Sequence, residues 1–461
     1  MTPELSPAPR ISSSQQRLES LGYRQELSRT MSLTDVVVFG LIYMVPLAPI
    51  QVFGFIYNFS SGMVAAVYIV AAIAMYFSAV SYCEMAKEFP VAGSVYSYVR
   101  FGAGEFLGFM SGWAILLDYL LLPGLLFIFA AAAMHLQIQM IPEWVWVPVF
   151  VLVATVINLR GIVFTARVNM ACLYIQCAVL LIFTVGVAVA LFEGRVHFSL
   201  DPLYRAEVFS IPLIFSAIPI AALSYIGFDA ISTLNEEAEG GGQAVSKATI
   251  IVLFVVAAMF VLQVYLAALF VPTGTKFDEE SSVTAFYSVA TVAVGPWFKV
   301  VITLTSALIA ILSNAIVSQA TTSRLIFSMA RDRQIPRWFA VIDPKRLIPA
   351  RAIVLVAALS TVIGFIAINK SDLVTAIVTF GSLTAYALLH IAVVRYFARQ
   401  GGTVRWFAHR ISPVVGIVIL VYALWQAPVE AKWLASVWLV LGALIHKVHA
   451  VSSSKSPTTP T

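Results

Sequence analysis

Two aspartates inside long apolar stretches are the residues of this chain best placed to do chemistry. Asp118 lies in the run AILLDYLLLP, and Asp229 ends the run SYIGFD. A carboxylate in an apolar segment is costly unless it meets a cation or a proton, so a functional site is its default interpretation. Tyr119 and Phe228 stand beside them, and an aromatic face stabilises an ammonium group by about 0.5–2 kcal/mol. These residues therefore predict a site for a small organic cation.

Each of these residues has a structural alternative. Direct cation recognition by Asp229 competes evenly with a capping role, in which its carboxylate accepts backbone N–H groups of an interrupted helix. Asp118 has the alternative of pairing only with a neighbouring helix. Tyr119 and Phe228 have the alternative of plain packing, because aromatic residues make up 12% of the chain.

The elements that must position this site are two apolar segments interrupted at corresponding places. Segment 33–57 contains Pro46 and Pro49, and segment 209–235 contains Pro212 and Pro219. Proline removes a backbone donor, and the polar groups it frees are tolerated in a membrane only beside a polar cavity. Interrupted helices in two halves of a chain indicate a transporter with a binding site near the bilayer midplane. The substrate-binding residues predicted on this basis are Pro46, Leu47, Ala48, Gln51, Asp118, Tyr119, Tyr225, Gly227, Phe228 and Asp229.

The composition predicts an all-α polytopic membrane protein. Apolar residues are 60% of the 461-residue chain and charged residues 11%, which excludes an ordinary soluble domain. Stretches of about 20 apolar residues, enough to cross a bilayer core of about 30 Å, recur along the chain. Twelve transmembrane helices are predicted, at 33–57, 62–85, 105–134, 143–159, 165–192, 209–235, 247–271, 297–328, 351–368, 372–397, 411–427 and 431–449.

The distribution of basic residues predicts the orientation. With both termini cytoplasmic, 22 of the 28 Lys and Arg residues fall on the inner side and six on the outer side. Cytoplasmic loops retain Lys and Arg, so this asymmetry supports a multi-pass protein of the plasma (inner) membrane with both ends inside. The net charge of +5 then reflects orientation and requires no nucleic-acid partner. The polar ends, 1–32 and 450–461, are expected to be disordered cytoplasmic tails.

The segment 82–98, YCEMAKEFPVAGSVYSY, resembles the signature of the amino acid/polyamine/organocation (APC) superfamily of permeases. Pro90 and Gly93 are expected to turn the chain at the inner surface, and Tyr96 and Tyr98 to anchor it at the interface. Further resemblance lies in 224–229 with the acids Glu236 and Glu237, and in 314–332. The run GW at 112–113 with LDYLLLP at 117–123 resembles the putrescine importer branch.

The resemblance implies two inverted five-helix repeats, a 5+5 LeuT-like arrangement with discontinuous helices 1 and 6. The first repeat would occupy 33–192, the second 209–397, and two peripheral helices 408–449. Substrate would lie between the two breaks, flanked by helices 3 and 8. A small amine or amino acid is the implied partner, moved by a coupling ion across the lipid bilayer. The residues expected to act in gating or coupling are Glu84, Gln176, Glu236, Glu237, Ser313 and Asn314. For the three glutamates a solvated charged face is the alternative.

This chain departs from the family pattern at three places. The first break reads Pro46-Leu47-Ala48-Pro49, where many amino acid carriers have a Gly-Ser-Gly run that receives the substrate carboxylate. Gln51 stands where the putrescine importers carry an aspartate, so one counter-charge for a diamine is missing. Gln176 stands where some proton-coupled members carry a lysine. A proton is nevertheless preferred as coupling ion, with sodium near Ser313 or Ser318 as the alternative.

Secondary transport of putrescine or another small amine, or of an amino acid, is the function these features favour. A transporter-like sensor would leave the same sequence, whereas a membrane enzyme is disfavoured. The six histidines are scattered, and no HExxH, GxSxG or phosphate-binding loop occurs in the sequence. No cofactor and no metal site is predicted.

Overall fold

The computed structural model of the protein describes residues 13–368, 370–400 and 405–453, and they form helices and their connections. The first nine helices are α1 Ser13–Ser20, α2 Leu33–Tyr43, α3 Pro49–Phe59, α4 Val64–Glu88, α5 Ser94–Ala103, α6 Glu105–Gln137, α7 Glu143–Leu159, α8 Ile162–Phe192 and α9 Ile211–Tyr225. The others are α10 Gly242–Ala268, α11 Glu279–Val294, α12 Pro296–Leu304, α13 Ile311–Arg331, α14 Ala350–Ala367, α15 Ser371–Arg399, α16 Ser412–Gln426 and α17 Val429–Ser453. Short 3₁₀ helices cover Phe228–Leu234 and Arg337–Ala340, and π-helical turns cover Thr305–Ala310 and Phe407–Ile411.

Within these described ranges, nine helices are long and apolar enough to cross a bilayer, and a bent pair at Ile211–Leu234 makes a tenth span. Two of the twelve predicted spans have a different form. Segment 33–57 is divided into α2 and α3, of 11 residues each, and α7 has 17 residues. Each is apolar but shorter than a standard span of about 20 residues. The structure therefore supports an all-helical membrane protein with nine or ten clear spans, and the count of twelve stays a prediction.

The predicted interruption of the first segment is present between Tyr43 and Pro49. Ser32 caps α2 through a reciprocal pair of hydrogen bonds with Asp35, and α2 ends at Tyr43. Val45 then adopts φ +53°, a left-handed conformation that is strained for a β-branched residue. Pro49 is the first residue of α3. An amide at that position has no acceptor within the helix, so a proline there loses no hydrogen bond. Such local strain persists where surrounding structure fixes it, commonly at functional sites.

The break leaves backbone carbonyls that need partners, and α10 supplies one of them. The side chain of Gln263, fully buried on α10, donates from Nε2 to the carbonyl oxygen of Pro46 at 2.9 Å. Since a buried unpaired carbonyl costs about 1–3 kcal/mol, this amide stabilises the interrupted conformation. Gln263, a polar residue in the apolar second half of α10, thus satisfies a carbonyl of the break between α2 and α3.

Replacing this amide with leucine, Gln263→Leu, is expected to reduce the stability of the folded protein by about 1–3 kcal/mol, because the Pro46 carbonyl loses its donor. The measurement is thermal unfolding in detergent. Gln243→Leu is the matched control, since it places the same substitution at an exposed position of the same helix. Equal melting temperatures for the two variants would contradict this role of Gln263.

The second segment bends at the position of Pro219 and is interrupted after Tyr225, within the predicted 224–229 break. Pro212 occupies the first turn of α9, which Ser210 caps, so it does not break the helix. The axis bends by 44° between Ile218 and Ile220, and α9 ends at Tyr225. Gly227 then takes φ +125°, and a Cβ there would collide with the ring of Tyr43. Glycine is therefore required at this junction for both its conformation and its lack of a side chain.

The helices that carry the candidate site pack in the middle of the bundle. α4 runs along α10, and α6 lies between α13 and α15. The last helix is fastened to α6 by a reciprocal pair of indoles. Trp113 Nε1 donates to the carbonyl of Trp438 at 2.8 Å, Trp438 Nε1 donates to the carbonyl of Trp113 at 2.7 Å, and the rings stack.

Residues 13–32 follow an ordered path, although their polar composition predicted disorder. The amide of Met31 donates to the carbonyl of Glu237, the amide of Glu239 donates to the carbonyl of Met31, and Leu18 is fully buried. The ordering comes from backbone pairing with the segment after Leu234, which no local sequence pattern reports. Residues 1–12 and 454–461 of the predicted tails lie outside the described residues.

Candidate functional site

Asp229 lies at the centre of a buried tyrosine cluster. The hydroxyl of Tyr119 donates to Oδ2 of Asp229 at 2.5 Å, and the hydroxyl of Tyr386 donates to Oδ1 at 2.6 Å. All three side chains are fully buried. The rings of Tyr82, Phe228 and Tyr386 contact one another, with centroids 5.5–5.6 Å apart. Both carboxylate oxygens therefore have protein donors, and in these two hydrogen bonds the donors are tyrosine hydroxyls instead of the backbone N–H groups of the capping alternative.

Asp118 has a different environment. The hydroxyl of Ser382 on α15 donates to its Oδ2, whereas Oδ1 is buried and has no hydrogen-bond partner. Its side chain is fully buried, and it takes part in no ion pair among the described residues. Asp118 lies thirteen residues after the start of α6, about 20 Å along the helix at a rise of 1.5 Å per residue. One oxygen of an uncompensated carboxylate is thus available near the middle of the longest helix.

A cavity of about 150 Å³ opens beside Asp118. Its wall comes from the first break, from α6, from the end of α9, and from α13 and α15. Two further polar atoms on this wall are buried without a partner, the hydroxyl of Tyr43 and Oδ1 of Asn314. The lining residues are Tyr43, Met44, Val45, Ala48, Asp118, Leu122, Leu125, Leu126, Phe129, Leu223, Ser224, Ile226, Asn314, Thr375 and Val378. Among them Asp118 is the only ionisable acid and no base is present.

The structure gathers the predicted site residues around this cavity, although few touch it. Ala48 and Asp118 line it. Pro46 and Leu47 lie in the break behind the wall, and Gln51 follows in α3 without lining the cavity. The other residues form a supporting layer. Tyr119, Phe228 and Asp229 are in the tyrosine cluster, Gly227 packs against Tyr43, and Tyr225 donates to the carbonyl of Tyr68 at 3.0 Å.

Gln176 and Ser313 join α8 to α13 at a distance from the cavity. Gln176 Nε2 donates to Oγ of Ser313 at 3.5 Å, and Ser313 Oγ donates to the carbonyl of Ala310 at 3.0 Å. Both side chains are buried, and Oε1 of Gln176 has no partner. Asn314, the next residue, faces the cavity instead.

Sequence reasoning did not identify Tyr43, Ser382 and Tyr386. Ser382 and Tyr386 lie four residues apart in α15 and so share one helix face, where they hold Asp118 and Asp229 respectively. That spacing was the available signal. It carried little weight, because hydroxyl residues are frequent along this helix and nothing in the sequence relates it to α6.

A layer of buried ion pairs closes one end of the bundle; we call Glu236, Glu237, Arg324 and Arg331 the ion-pair layer. Arg324 on α13 donates from Nε and Nη2 to the Glu237 carboxylate at 2.8–3.1 Å. Arg331, about two turns further along α13, donates to both oxygens of Glu236 at 2.6 and 3.0 Å. The amide of Ala92 also donates to Glu236 at 3.0 Å. The segment after the second break is therefore bound to α13 and to the loop between α4 and α5.

Residues 13–32 and helix α5 cover this layer. Tyr23 and Tyr96 donate to the two carboxylate oxygens of Asp332 at 2.8 and 2.9 Å. Burial, and then the Asp332 carboxylate, raise the pKa of Tyr23 far above its usual value, so its hydroxyl keeps its proton as a donor. Tyr98 is also fully buried and accepts a hydrogen bond from Asn235 at 2.6 Å. The expected interfacial anchoring by Tyr96 and Tyr98 is thus wrong, because α5 turns inward and packs both rings in the core.

Glu84 belongs to a separate buried cluster at the end of α4. It accepts hydrogen bonds from Arg405, from His409 at 3.1 Å and from Lys87 at 3.1 Å. Glu84, Glu236 and Glu237 are at most 6% exposed, so a solvated charged face does not describe them. Their positions suit a gate, which stays a proposal.

The ion-pair layer and the cavity lie on opposite sides of Asp118. α6 begins beside the layer, where Arg100 contacts Glu105 and Asp332. The cavity-lining residues of α6 come after Asp118, towards the far end of the helix. A second cavity of about 520 Å³ continues in that direction and shares Leu223 and Thr375 with the first. The larger cavity next to the site therefore lies on the side away from the layer.

Comparison with known proteins adds the following similarities. Residues 31–445 match the family model described as amino acid permease. The low-affinity putrescine importer PlaP of Escherichia coli K12 is 30% identical over 94% of this chain and 96% of its own. The branched-chain amino acid permease BcaP of Bacillus subtilis is 25% identical over 84% and 86%. The methylthioribose transporter of the same bacterium is 25% identical over 92% and 94%.

Proposed function

Because this chain belongs to the amino acid permease family of the APC superfamily, we propose that it is a secondary active transporter that imports a small amine, such as putrescine, or an amino acid across the plasma membrane. The observation that carries the proposal is the Asp118 carboxylate, whose Oδ1 is buried without a hydrogen-bond partner beside a cavity between two interrupted helices. A free carboxylate oxygen deep in an apolar bundle is a site for an ammonium group or a proton.

We propose alternating access around this cavity. The fold would comprise twelve spans, with inverted repeats at 33–192 and 209–397 and both termini in the cytoplasm. In that orientation the ion-pair layer is the closed inner gate and the wider cavity is the outer approach. Opening inwards would require separation of Glu237 from Arg324 and of Glu236 from Arg331. These pairs join the segment after the second break to α13, so their rupture would be coupled to movement of that break.

A proton is the proposed coupling ion. When no substrate is bound, Asp118 has no cationic partner in the described structure, and a buried bare carboxylate is costly. A proton that enters from the outside would neutralise it, and a bound ammonium group would do the same. Sodium remains the second candidate, with Ser313 or Ser318 and the carbonyls of the break as ligands. The hydroxyl of Ser318 is buried without a partner.

Uptake into proteoliposomes tests this function. Purified protein is reconstituted and given an inward proton gradient, a sodium gradient or neither, with labelled putrescine, a panel of amino acids and small monoamines outside. We expect uptake of at least one amine or amino acid above empty vesicles, stimulated by the proton gradient. Stimulation by the sodium gradient alone would mean that sodium, and not a proton, is the coupling ion. If none of these compounds were taken up above empty vesicles, the proposed transport function would be refuted.

A further inference from the structure

The chemistry of the cavity beside Asp118 selects among the candidate substrates. We propose that this site takes a primary monoamine with an apolar tail, in preference to a diamine or an amino acid. The inference rests on the proposed function, because it names the substrate class of that same site. The inference follows from three features of the described wall. It has acceptors for one ammonium group, no cationic partner for a carboxylate, and no second acid for another ammonium group.

The polar end of the cavity offers acceptors in the number that one ammonium group needs. Oδ1 of Asp118, Oδ1 of Asn314 and the hydroxyl of Tyr43 all belong to lining residues, and all three are buried without a partner. A primary ammonium has three N–H donors and no acceptor. One charged and two neutral oxygens on a single cavity therefore match one primary ammonium group.

The described wall of the cavity has no cationic group to pair with a carboxylate. Among the residues that the structure describes, no Lys, Arg or His lines it. At the first break, the amides of Met44, Val45 and Ala48 already donate to backbone carbonyls at 2.8–3.2 Å. Pro46 and Pro49 have no amide hydrogen, which leaves at most the amide of Leu47. The remaining donors on the wall belong to neutral side chains, those of Tyr43, Ser224, Asn314 and Thr375, and Ser224 already pairs with Tyr68. An amino acid would thus bring a carboxylate to a wall without a cationic partner, and buried unpaired charge is strongly unfavourable.

The cavity also lacks a partner for a second ammonium group. Asp229, the other acid of the bundle centre, has both oxygens engaged by Tyr119 and Tyr386. Beyond Asp118 the wall is apolar, with Leu122, Leu126 and Phe129 on α6 opposite Val378. Among the described side chains, none that lines the wider cavity through which the substrate would pass is charged. A second charge would remain unpaired throughout this path, whereas a hydrocarbon tail is buried favourably along it.

Matched pairs of compounds test the inference on the unaltered protein. Butylamine differs from putrescine by one ammonium group, and 3-methylbutylamine differs from leucine by the carboxylate. We expect each monoamine to raise the melting temperature of the detergent-purified protein and to be taken up by proteoliposomes. We expect its charged counterpart to bind at least about tenfold more weakly, measured as the concentration that gives half of the thermal shift.

The outcomes separate this inference from the proposed function. Binding and uptake of putrescine or leucine at least equal to those of the matched monoamine would overturn the monoamine inference and leave the transport function standing. Absence of uptake for all four compounds, while the wider amine and amino acid panel also stays at the level of empty vesicles, would overturn both. Only a preference for the monoamine in both pairs supports the inference.

A change to the apolar wall provides an independent readout. Phe129 lies at the far end of the cavity from Asp118, so Phe129→Ala should lengthen the space for the tail. We expect hexylamine to gain about tenfold in affinity relative to butylamine, because its two extra methylene groups become buried. A merely structural role of Phe129 would change the affinities of both amines equally, and that result would count against the inference.

Discussion

Uptake by Asp118→Asn should fall by at least about 100-fold, the equivalent of about 2.7 kcal/mol of lost binding to the cation. An asparagine keeps the size of the side chain and still accepts the hydrogen bond from Ser382, but it removes the only charge that the described residues place on the cavity wall. Loss of one member of a desolvated charge pair costs about 2–5 kcal/mol, so the expected effect is at the lower end of that range.

In the absence of substrate, Asp118→Asn should leave the stability of the protein unchanged or raise it. Without substrate, the Asp118 carboxylate is buried and has no cationic partner, so its neutralisation removes a source of instability. The melting temperature of Asp118→Asn without ligand is therefore expected to equal or exceed that of the unaltered protein. An amine that stabilises the unaltered protein should no longer stabilise the variant.

Ser382→Ala is the control for this experiment, since it removes the hydroxyl that holds Oδ2 and leaves the carboxylate in place. It should retain measurable uptake at a reduced level. If Asp118→Asn transported amines at the rate of the unaltered protein, Asp118 would have no part in cation binding. If Asp118→Asn failed to fold, its melting curve in the absence of ligand would reveal that directly.

Local sequence rules accounted for the helices and for the positions of the two breaks better than for the contacts at the site. Apolar run length and proline chemistry indicated most spans and the interruption at Pro46–Pro49. In the second segment Pro212 does not interrupt the helix, because a proline in a first turn is compatible with a helix. The bend lies at the position of Pro219, and the junction within the predicted 224–229 break depends on Gly227 packing against Tyr43. That requirement is a tertiary contact, which no spacing in the sequence reports.

The sequence could not predict which of the two acids is left with an unpaired oxygen, for a similar reason. Asp118 and Asp229 stand in equally apolar surroundings in the sequence. Only the packing of α15 against α6 shows that Tyr386 and Tyr119 satisfy Asp229, whereas Ser382 satisfies half of Asp118. Side chains that are distant in sequence therefore decide which acid is available to a ligand.

Removing one member of the ion-pair layer, as in Arg324→Gln, is expected to reduce the stability of the protein by about 3–5 kcal/mol. Glu237 is 1% exposed and would lose both of its guanidinium contacts, which would leave an unpaired carboxylate in the core. Thermal unfolding in detergent measures the loss. The double variant Glu237→Gln with Arg324→Gln removes both charges together, so it should be more stable than Arg324→Gln alone.

The exposed pair between Arg17 and Glu88 is the matched control, because Arg17→Gln breaks an ion pair of similar length at the surface. Water already screens that pair, and its loss should cost less than about 1 kcal/mol.

The same variants also test the proposed role of the Glu237–Arg324 pair in transport. If the Glu237–Arg324 pair holds the inner gate shut, the double variant should open more readily, and substrate efflux from loaded proteoliposomes should rise relative to the unaltered protein while Arg17→Gln leaves it unchanged. Equal efflux from all three would show that the pair stabilises the fold without gating it.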